Sequence, residues 1–188
     1  MTYWFTADYH LSHANIIRHC NRPFRNVDEM NKTLIGNFLD AVEENDTVYF
    51  LGDLSWDQPS AKEFFLRSPT KDIVFVWGNH DKRCRSVVQK YSSSTHDLLT
   101  VSIPDDDAPG GKRRIVLCHY SMRVWDGSHH GSWMLYGHSH GNLPPAGKSL
   151  DVGVDVNGFK PVSYEAIKRL MRKMDENPDL IREKKCNP

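Results

Sequence analysis

The stretch of sequence that decides the fold is Ile73-Val74-Phe75-Val76-Trp77-Gly78-Asn79-His80-Asp81. Its apolar half is short, rich in β-branched and aromatic residues and uninterrupted by polar ones, which is typical of a strand buried on both faces. We expect this strand over Asp72–Trp77. A glycine follows, which allows the backbone to turn sharply, and then an amide, an imidazole and a carboxylate. The segment therefore predicts a buried strand that presents polar side chains at its carboxyl end.

Four other apolar runs have the same texture and also end in polar residues. The runs are Tyr3–Ala7, Thr47–Leu51, Arg114–Cys118 and Trp133–Tyr136. The residues that follow them are, in order, Asp8-Tyr9-His10, Gly52-Asp53, His119 and Gly137-His138-Ser139-His140. Ligands of open α/β sheets bind outside the carboxyl ends of the strands. We therefore expect two aspartates, one asparagine and five histidines to meet in one crevice.

Amphipathic helices are predicted between the early strands and at the end of the chain. The first is capped by Asn26 or Asp28 and runs to about Glu44, with an apolar residue at every fourth position. Two shorter helices are expected at Ser60–Leu66 and Lys82–Lys90. Leu98–Ile103 and Arg113–Cys118 are expected to form a hairpin. A last helix is expected from the cap Ser163 to about Met174. This order predicts a single α/β domain over residues 1–175, followed by a polar tail at 176–188.

Composition excludes several classes of protein. The 188 residues contain 24 Lys and Arg and 24 Asp and Glu, so the formal net charge is zero. A protein that coats nucleic acid or an acidic membrane surface needs a standing excess of basic residues. No apolar run approaches the roughly 18 residues of a membrane span, and residues 1–8 lack the pattern of a signal peptide. The four cysteines form no CxxC pair, so we expect a reducing cytoplasm.

The polar residues at the strand ends are of the types that bind metal ions. Carboxylate, amide carbonyl and imidazole together suit Mn, Fe, Co, Ni or Zn, whereas Mg and Ca sites are built from oxygen alone. The donors are too numerous for one tetrahedral ion and suffice for two, which Asp53 can bridge. A single Asp-x-His or Gly-Asp is more often a turn or a helix cap, so the interpretation depends on all five segments together. Of the remaining histidines, His13 can at most line the edge of the site.

The five segments in this order resemble the metallophosphoesterases, the calcineurin-like phosphoesterase superfamily, over about residues 3–141. The resemblance implies an αββα sandwich of two mixed β-sheets flanked by helices, and a two-metal site with a bridging hydroxide and Asp53 between the ions. It places Asp8, His10 and His140 on one ion and Asn79, His119 and His138 on the other. It leaves His80 free for catalysis. Further similarity at residues 13–18, 22–24 and 151–156 suggests a small single-domain branch found in bacteria and phages.

The second segment departs from the pattern of the phosphoprotein phosphatases. Those enzymes continue it as Gly-Asp-x-Val-Asp-Arg-Gly, whereas this chain has Trp56 at the position of the second Asp and no Arg. Protein phosphatase activity is therefore not expected. Arg22, in the loop after the first segment, is our candidate for a substitute phosphate contact, with a solvated surface arginine as the alternative. Trp56 and Trp125 are candidates for stacking on a nucleobase or for packing at the rim of the site.

The resemblance implies a hydrolase of ester bonds that uses two divalent metal ions. Manganese is the first candidate, with Fe, Ni, Co or Zn as alternatives. We expect a phosphodiesterase that acts on a small-molecule or nucleotide phosphate ester. The alternatives are a phosphomonoesterase, a non-catalytic protein-binding scaffold on the same fold, and a nuclease. The nuclease ranks lower because Lys112-Arg113-Arg114 is the only basic run and gives no strong nucleic-acid-binding signal. No membrane partner is expected, and the sequence does not predict the oligomeric state.

Overall fold

A computed structural model describes residues 1–144 and 146–175, so the expected polar tail at 176–188 lies outside the described residues. The strands are β1 (Tyr3–Thr6), β2 (Thr47–Phe50), β3 (Ile73–Val76), β4 (Ser94–His96), β5 (Leu98–Pro104), β6 (Lys112–Cys118), β7 (Trp133–Tyr136), β8 (Ser149–Asp151) and β9 (Val162–Ser163). The helices are α1 (Ala14–His19), α2 (Val27–Ala41), α3 (Gln58–Arg67), α4 (Arg85–Tyr91) and α5 (Tyr164–Met171).

The strands form two mixed sheets. The first has the order β4-β3-β2-β1-β9, in which β1 to β4 are parallel and β9 runs antiparallel to β1. The second has the order β5-β6-β7-β8, in which only β5 and β6 are antiparallel. The expected arrangement of two mixed sheets flanked by helices is thereby confirmed.

Both faces of the central strands are buried, as their unbroken apolar sequences predict. Phe50 and Phe75 point to one face of the first sheet and pack with α1 to α4, whereas Leu51 and Val76 point to the other. That second face packs against Leu117 and its neighbours on β6 and β7, and α5 completes this inter-sheet core. Because successive side chains of a strand alternate between faces, each strand contributes to two cores and is held in register by both.

The helix boundaries differ from the expected ones in physically simple ways. Asn26 caps α2, since its side chain accepts a hydrogen bond of 2.9 Å from the backbone N–H of Glu29. The helix ends at Ala41 rather than near Glu44 because Val42 adopts an extended backbone and is buried in the core. Helix α5 begins after the expected cap Ser163 and ends at Met171.

The elements α1, β4, β8 and β9 were not expected from sequence, and each is short. The hairpin of β5 and β6 is confirmed, with Leu98 opposite Cys118 and Pro104 opposite Lys112. In the described part of the chain, no helix combines the length and apolarity that a membrane crossing requires.

Candidate metal centre

Sharp backbone turns follow the strands that carry the expected ligands. Asp8, Asp53 and His138 have φ of 62°, 58° and 65°, in the left-handed region that residues with a Cβ rarely adopt. His10 and His140, two residues beyond the first and last of these, have φ of 51° and 47°. Strained residues of this kind persist where the surrounding structure fixes them, and they cluster at functional sites.

Two glycines let main chain pass directly against the buried carboxylates. A Cβ at Gly78 would lie 2.2 Å from Oδ1 of Asp53, and a Cβ at Gly137 would lie 2.7 Å from Oδ2 of Asp8. Neither position can take a side chain without displacing a carboxylate. The turns after β3 and β7 therefore press the two aspartates into one crevice.

The first group of candidate ligands consists of Asp8, His10 and His140, whose ligand atoms all lie within 4.8 Å of one another. Nε2 of His10 is buried and has no hydrogen-bond partner in the described structure. A buried polar atom without a partner costs about 1–3 kcal/mol, so its position requires an explanation. A cation held between this nitrogen and the Asp8 carboxylate would satisfy both.

The second group consists of Asp53, His119 and His138, again with ligand atoms within 4.8 Å of one another. Asn79 joins it, because its Oδ1 lies 3.0 Å from Nε2 of His119. Nδ1 of His119 lies 2.8 Å from the carbonyl oxygen of Leu51, a contact that directs Nε2 toward the crevice.

One oxygen faces both groups. Oδ2 of Asp53 lies 3.5 Å from Nε2 of His10 and 3.4 Å from Nε2 of His119. The other oxygen, Oδ1, accepts a hydrogen bond of 2.8 Å from the backbone N–H of His80. The carboxylate is thus oriented as a bridging ligand would be, with one oxygen fixed by protein and the other available between the two groups. Its donor set of carboxylate and imidazole fits two borderline divalent cations.

The pKa shifts of the crevice residues also favour a site for cations. Burial raises the pKa of Asp8 to about 7, against the opposing effect of His119 and His140. Burial also lowers the pKa of His10 to about 3. Burial opposes the ionisation of Asp53 and His119 as well, but their mutual attraction outweighs it, lowering the carboxyl pKa and raising the imidazole pKa. The two carboxylates therefore lie where a cation would compensate their charge, and metal binding competes with protons on the histidines.

Arg22 occupies a different position from the expected one. Its side chain is 0% exposed, and all five of its N–H donors are engaged. Nε and Nη2 donate to the two oxygens of Asp155, each at 2.8 Å, while the remaining contacts are to the carbonyl oxygens of Asp8 and Tyr9 and the sulfur of Met30. The expected phosphate contact does not fit this placement, because no donor is left for a substrate.

Asp155 connects Arg22 to the candidate ligands. Its Oδ2 lies 2.7 Å from Nδ1 of His140, so the opposite ring nitrogen of that histidine points into the first group. Carboxylates in this position fix the tautomer and the orientation of a ligating histidine. Sequence reasoning missed this role, although Asp155 lies in the segment 151–156 that it had singled out.

Two further aspartates fix the turns through the backbone. Asp81 accepts hydrogen bonds from the N–H groups of Gly78, Asp53 and Leu54 at 2.7, 2.9 and 2.9 Å. Asp151 likewise accepts bonds from the backbone N–H of Gly141 at 3.0 Å and of Gly153 at 2.7 Å. Both aspartates lie in segments that sequence analysis singled out, Asp81 at the end of the segment after β3 and Asp151 at the start of 151–156, but their contacts with the backbone were not predicted.

His80 belongs to neither ligand group, and its catalytic role stays a prediction. Its imidazole is half-buried and lies at the edge of the crevice, with its ring centroid 5.3 Å from that of His10. His13 also lines this edge, as expected.

Trp56 is packed on both faces and Trp125 is buried, so neither presents a free face to a nucleobase.

Comparison with known proteins identifies the family. The family model described as calcineurin-like phosphoesterase matches residues 1–142. An uncharacterized protein of Methanocaldococcus jannaschii is 37% identical over 180 residues, which cover 90% of this chain and 91% of that protein. The crystal structure of a protein of unknown function from Aquifex aeolicus has a similar fold, with a TM-score of 0.68, 23% identity and coverage of 90% of this chain and 98% of that one. Since the family model spans all the strand ends that form the crevice, the chain belongs to the calcineurin-like phosphoesterase family.

Proposed function

We propose that the protein is a metal-dependent phosphodiesterase that hydrolyses small or nucleotide-type phosphate esters, with two divalent ions in the crevice and Mn²⁺ as the first candidate. The observation that carries the proposal is the position of Asp53, one of whose two carboxylate oxygens, Oδ2, faces both ligand groups. Under this proposal Asp8, His10 and His140 would hold one ion, Asn79, His119 and His138 would hold the other, and Asp53 would contribute to both. Bound divalent ions supply Lewis acidity toward a phosphoryl oxygen and lower the pKa of water.

The protein's own side chains divide the remaining work. Asn79 is neutral, so the site keeps a positive surplus over its two carboxylates that favours an anionic ester. His80 lies beside Asn79 and outside the ligand groups, where its imidazole can donate a proton to the leaving oxygen. The buried cores behind the turns hold these groups in place before substrate arrives, which general acid catalysis requires.

A diester is favoured over a monoester by the placement of Arg22. A monoester dianion carries one more negative charge than a diester and gains more from a cationic side chain. Arg22 has no donor left for phosphate, so the described crevice gains no cationic contact from it. The zero net charge of the chain supports small esters over nucleic acid as substrates. The cytoplasm is our proposed compartment, since Cys20, Cys84 and Cys118 are free thiols.

The test combines metal analysis with two substrates. Purified protein should contain close to two divalent ions, lose activity on chelation and regain it with Mn²⁺. The catalytic efficiency kcat/KM should be higher for bis-p-nitrophenyl phosphate than for p-nitrophenyl phosphate. Asp53→Asn should reduce the occupancy of both ions, whereas His129→Gln, which changes an exposed histidine outside the crevice, should alter nothing.

Three outcomes would contradict parts of the proposal. Two retained ions with full turnover in Asp53→Asn would exclude the bridged pair. A higher kcat/KM for the monoester would show that the enzyme is a phosphatase rather than a phosphodiesterase. Metal binding without hydrolysis of either ester or of a nucleotide diester would favour a binding scaffold.

A further inference from the structure

The imidazole of His80 is held by rings rather than by hydrogen bonds. Its backbone N–H donates to Asp53, which fixes the main chain. Within residues 1–144 and 146–175, however, the ring itself forms no hydrogen bond or ion pair. Its neighbours are the rings of His10, His13 and Trp56, with centroids 5.3, 6.0 and 5.5 Å away. The direction of this imidazole therefore depends on aromatic packing.

The indole of Trp56 is contacted by a second ring and by a guanidinium. His13 stacks on the indole with a centroid distance of 4.2 Å and an interplanar angle of 12°. The guanidinium carbon of Arg83 lies 4.3 Å from the centroid of the same ring. Two groups this close to one ring centre must occupy opposite faces, so the indole is clamped between them. Cation–π contacts of this kind contribute about 0.5–1 kcal/mol at exposed sites.

The backbone of Trp56 is anchored as well. Its N–H donates a hydrogen bond of 2.8 Å to the carbonyl oxygen of Leu11, next to a β-bridge between Leu11 and Ser55. The following residue, Asp57, caps α3 through the N–H of Ser60. The indole thus extends from a short segment that is anchored on both sides, and its centroid lies 5.5 Å from that of the His80 ring.

The other two neighbours are less suited to this role. His10 belongs to the first ligand group, so its ring direction is dictated by the crevice. The ring of His13 is stacked on the indole of Trp56, and its Nδ1 lies 3.5 Å from Nδ1 of His10, so its direction is set by these two rings. We propose that Trp56 is the positioning residue of His80: the clamped indole holds the imidazole toward the leaving oxygen of the substrate. This inference rests on the proposed function, in which His80 donates the proton.

The kinetic test compares leaving groups in the metal-loaded protein. An alkoxide that leaves a nucleotide diester needs the proton, whereas nitrophenolate departs without it. Trp56→Leu should lower kcat for the nucleotide diester at least about tenfold, a part of the roughly 10²–10⁴-fold that a positioned acid contributes. It should change kcat for bis-p-nitrophenyl phosphate and the metal content little. Trp56→Phe, which retains a ring, should restore most of the loss.

A double-mutant cycle and a matched control distinguish positioning from general damage. If Trp56 acts through His80, the variant with both Trp56→Leu and His80→Ala should be no slower than His80→Ala alone. Trp77→Leu is the matched control, because Trp77 also lies under an arginine, with Arg85 4.6 Å from its ring, but makes no ring contact with His80 in the described structure. It should leave the leaving-group dependence unchanged.

A measurement without turnover tests the contact itself. In metal-free protein, the ring-proton resonance of His80, assigned by its absence in His80→Ala, should shift when Trp56 becomes Leu and stay in place in Trp77→Leu. An unchanged resonance, equal losses on both esters or additive losses in the double variant would each overturn the inference. If wild-type protein hydrolyses no ester, the proposed function fails, and the resonance then decides only whether the indole of Trp56 contacts the His80 ring.

Discussion

The guanidinium of Arg22 supports the first ligand group indirectly, because it contacts Asp155 and the backbone of Asp8 but no candidate ligand side chain. It holds Asp155 through two hydrogen bonds, and Asp155 in turn orients His140. It also binds the carbonyl oxygens of Asp8 and Tyr9, which lie in the strained turn after β1. One buried guanidinium therefore fixes the backbone turn after β1 and, through Asp155, the ring of His140.

We predict that Arg22→Met destabilises the protein and weakens the first ligand group. Removing one partner of a buried ion pair costs about 3–5 kcal/mol, since the other charge stays buried. Loss of an outer contact of this kind also weakens metal binding about 10–100-fold. Denaturant unfolding measures the first effect, and metal analysis at limiting Mn²⁺ measures the second.

The control for this prediction is Arg25→Met. Arg25 is 87% exposed and pairs with Glu29 on the surface of α2, so its replacement should change the free energy of unfolding by less than about 1 kcal/mol. Equal effects of the two substitutions would show that the buried network of Arg22 has no special role.

The residues of the crevice differ in how far sequence could predict them. Asp8, Asp53 and His119 were predictable because each follows an apolar strand directly, and strand ends meet at one edge of a sheet. Asp155 and Arg22 were not, because their pairing joins positions 133 residues apart and follows from tertiary packing alone. A loop arginine looks the same in sequence whether it faces solvent, phosphate or a buried carboxylate.

At the scale of elements, Asp105 ties the β5–β6 hairpin to α5. It accepts a hydrogen bond of 2.6 Å from the hydroxyl of Tyr164 and a charged one from Lys168. Its side chain is fully buried, and Lys168 also pairs with Asp107 at 2.6 Å. Ion pairs and a hydrogen bond, as well as apolar packing, therefore hold α5 against the rest of the fold.

We predict that Asp105 makes stability depend on acid pH. Burial opposes ionisation, but the bonds from Lys168 and Tyr164 lower the pKa of Asp105 to about 2. A carboxyl whose pKa is lower in the folded state stabilises the protein above its unfolded value of about 3.9, and this stabilisation is lost as the pH falls toward 2. The free energy of unfolding of wild type should therefore exceed that of Asp105→Asn at pH 6 by about 1–3 kcal/mol.

The control is the pH dependence of that difference. The gap between wild type and Asp105→Asn should narrow steadily from pH 4 to pH 2, as measured by denaturant unfolding at each pH. A gap that stays constant over this range would mean that the contacts of Asp105 do not depend on its charge.

The central elements were predictable from sequence and the peripheral ones were not, for a common reason. A strand buried on both faces has mostly apolar residues: all four residues of β2 and three of the four in β3 are buried. The edge strands β4 and β9 have three and two residues and exist only through pairing with a neighbour. Short segments like these lack a period, so nothing local distinguishes them from loops.

At the scale of the whole molecule, the crevice requires both sheets. The first sheet supplies the turns after β1, β2 and β3, and the second supplies His119 after β6 and the histidines after β7. The backbone N–H of His138 lies 2.9 Å from Oδ2 of Asp8, so the two sheets are joined across the site itself. Relative movement of the sheets would separate the two halves of each ligand group.

This arrangement predicts that metal stabilises the entire fold. The crevice assembles only in the folded state, and it contains buried carboxylates and left-handed turns that cost about 1–3 kcal/mol each. A ligand that binds only the folded protein adds RT ln(1 + [L]/Kd), or about 2.7 kcal/mol at 100 times Kd. The melting temperature, Tm, of chelated protein should therefore rise steadily with added Mn²⁺, and Ca²⁺ should have a smaller effect because it prefers all-oxygen sites.

Two variants make this last prediction specific. Asp53→Asn should lose most of the Mn²⁺-dependent rise in Tm, because both ligand groups share its oxygen. Asp126→Asn removes an exposed carboxylate that pairs with Arg114 outside the crevice, and it should keep the full rise. A similar rise in all three proteins would place the stabilising ions elsewhere on the surface. A rise that is absent in wild type would mean that the strained turns and buried carboxylates need no cation, and the two-ion site would then have to be abandoned.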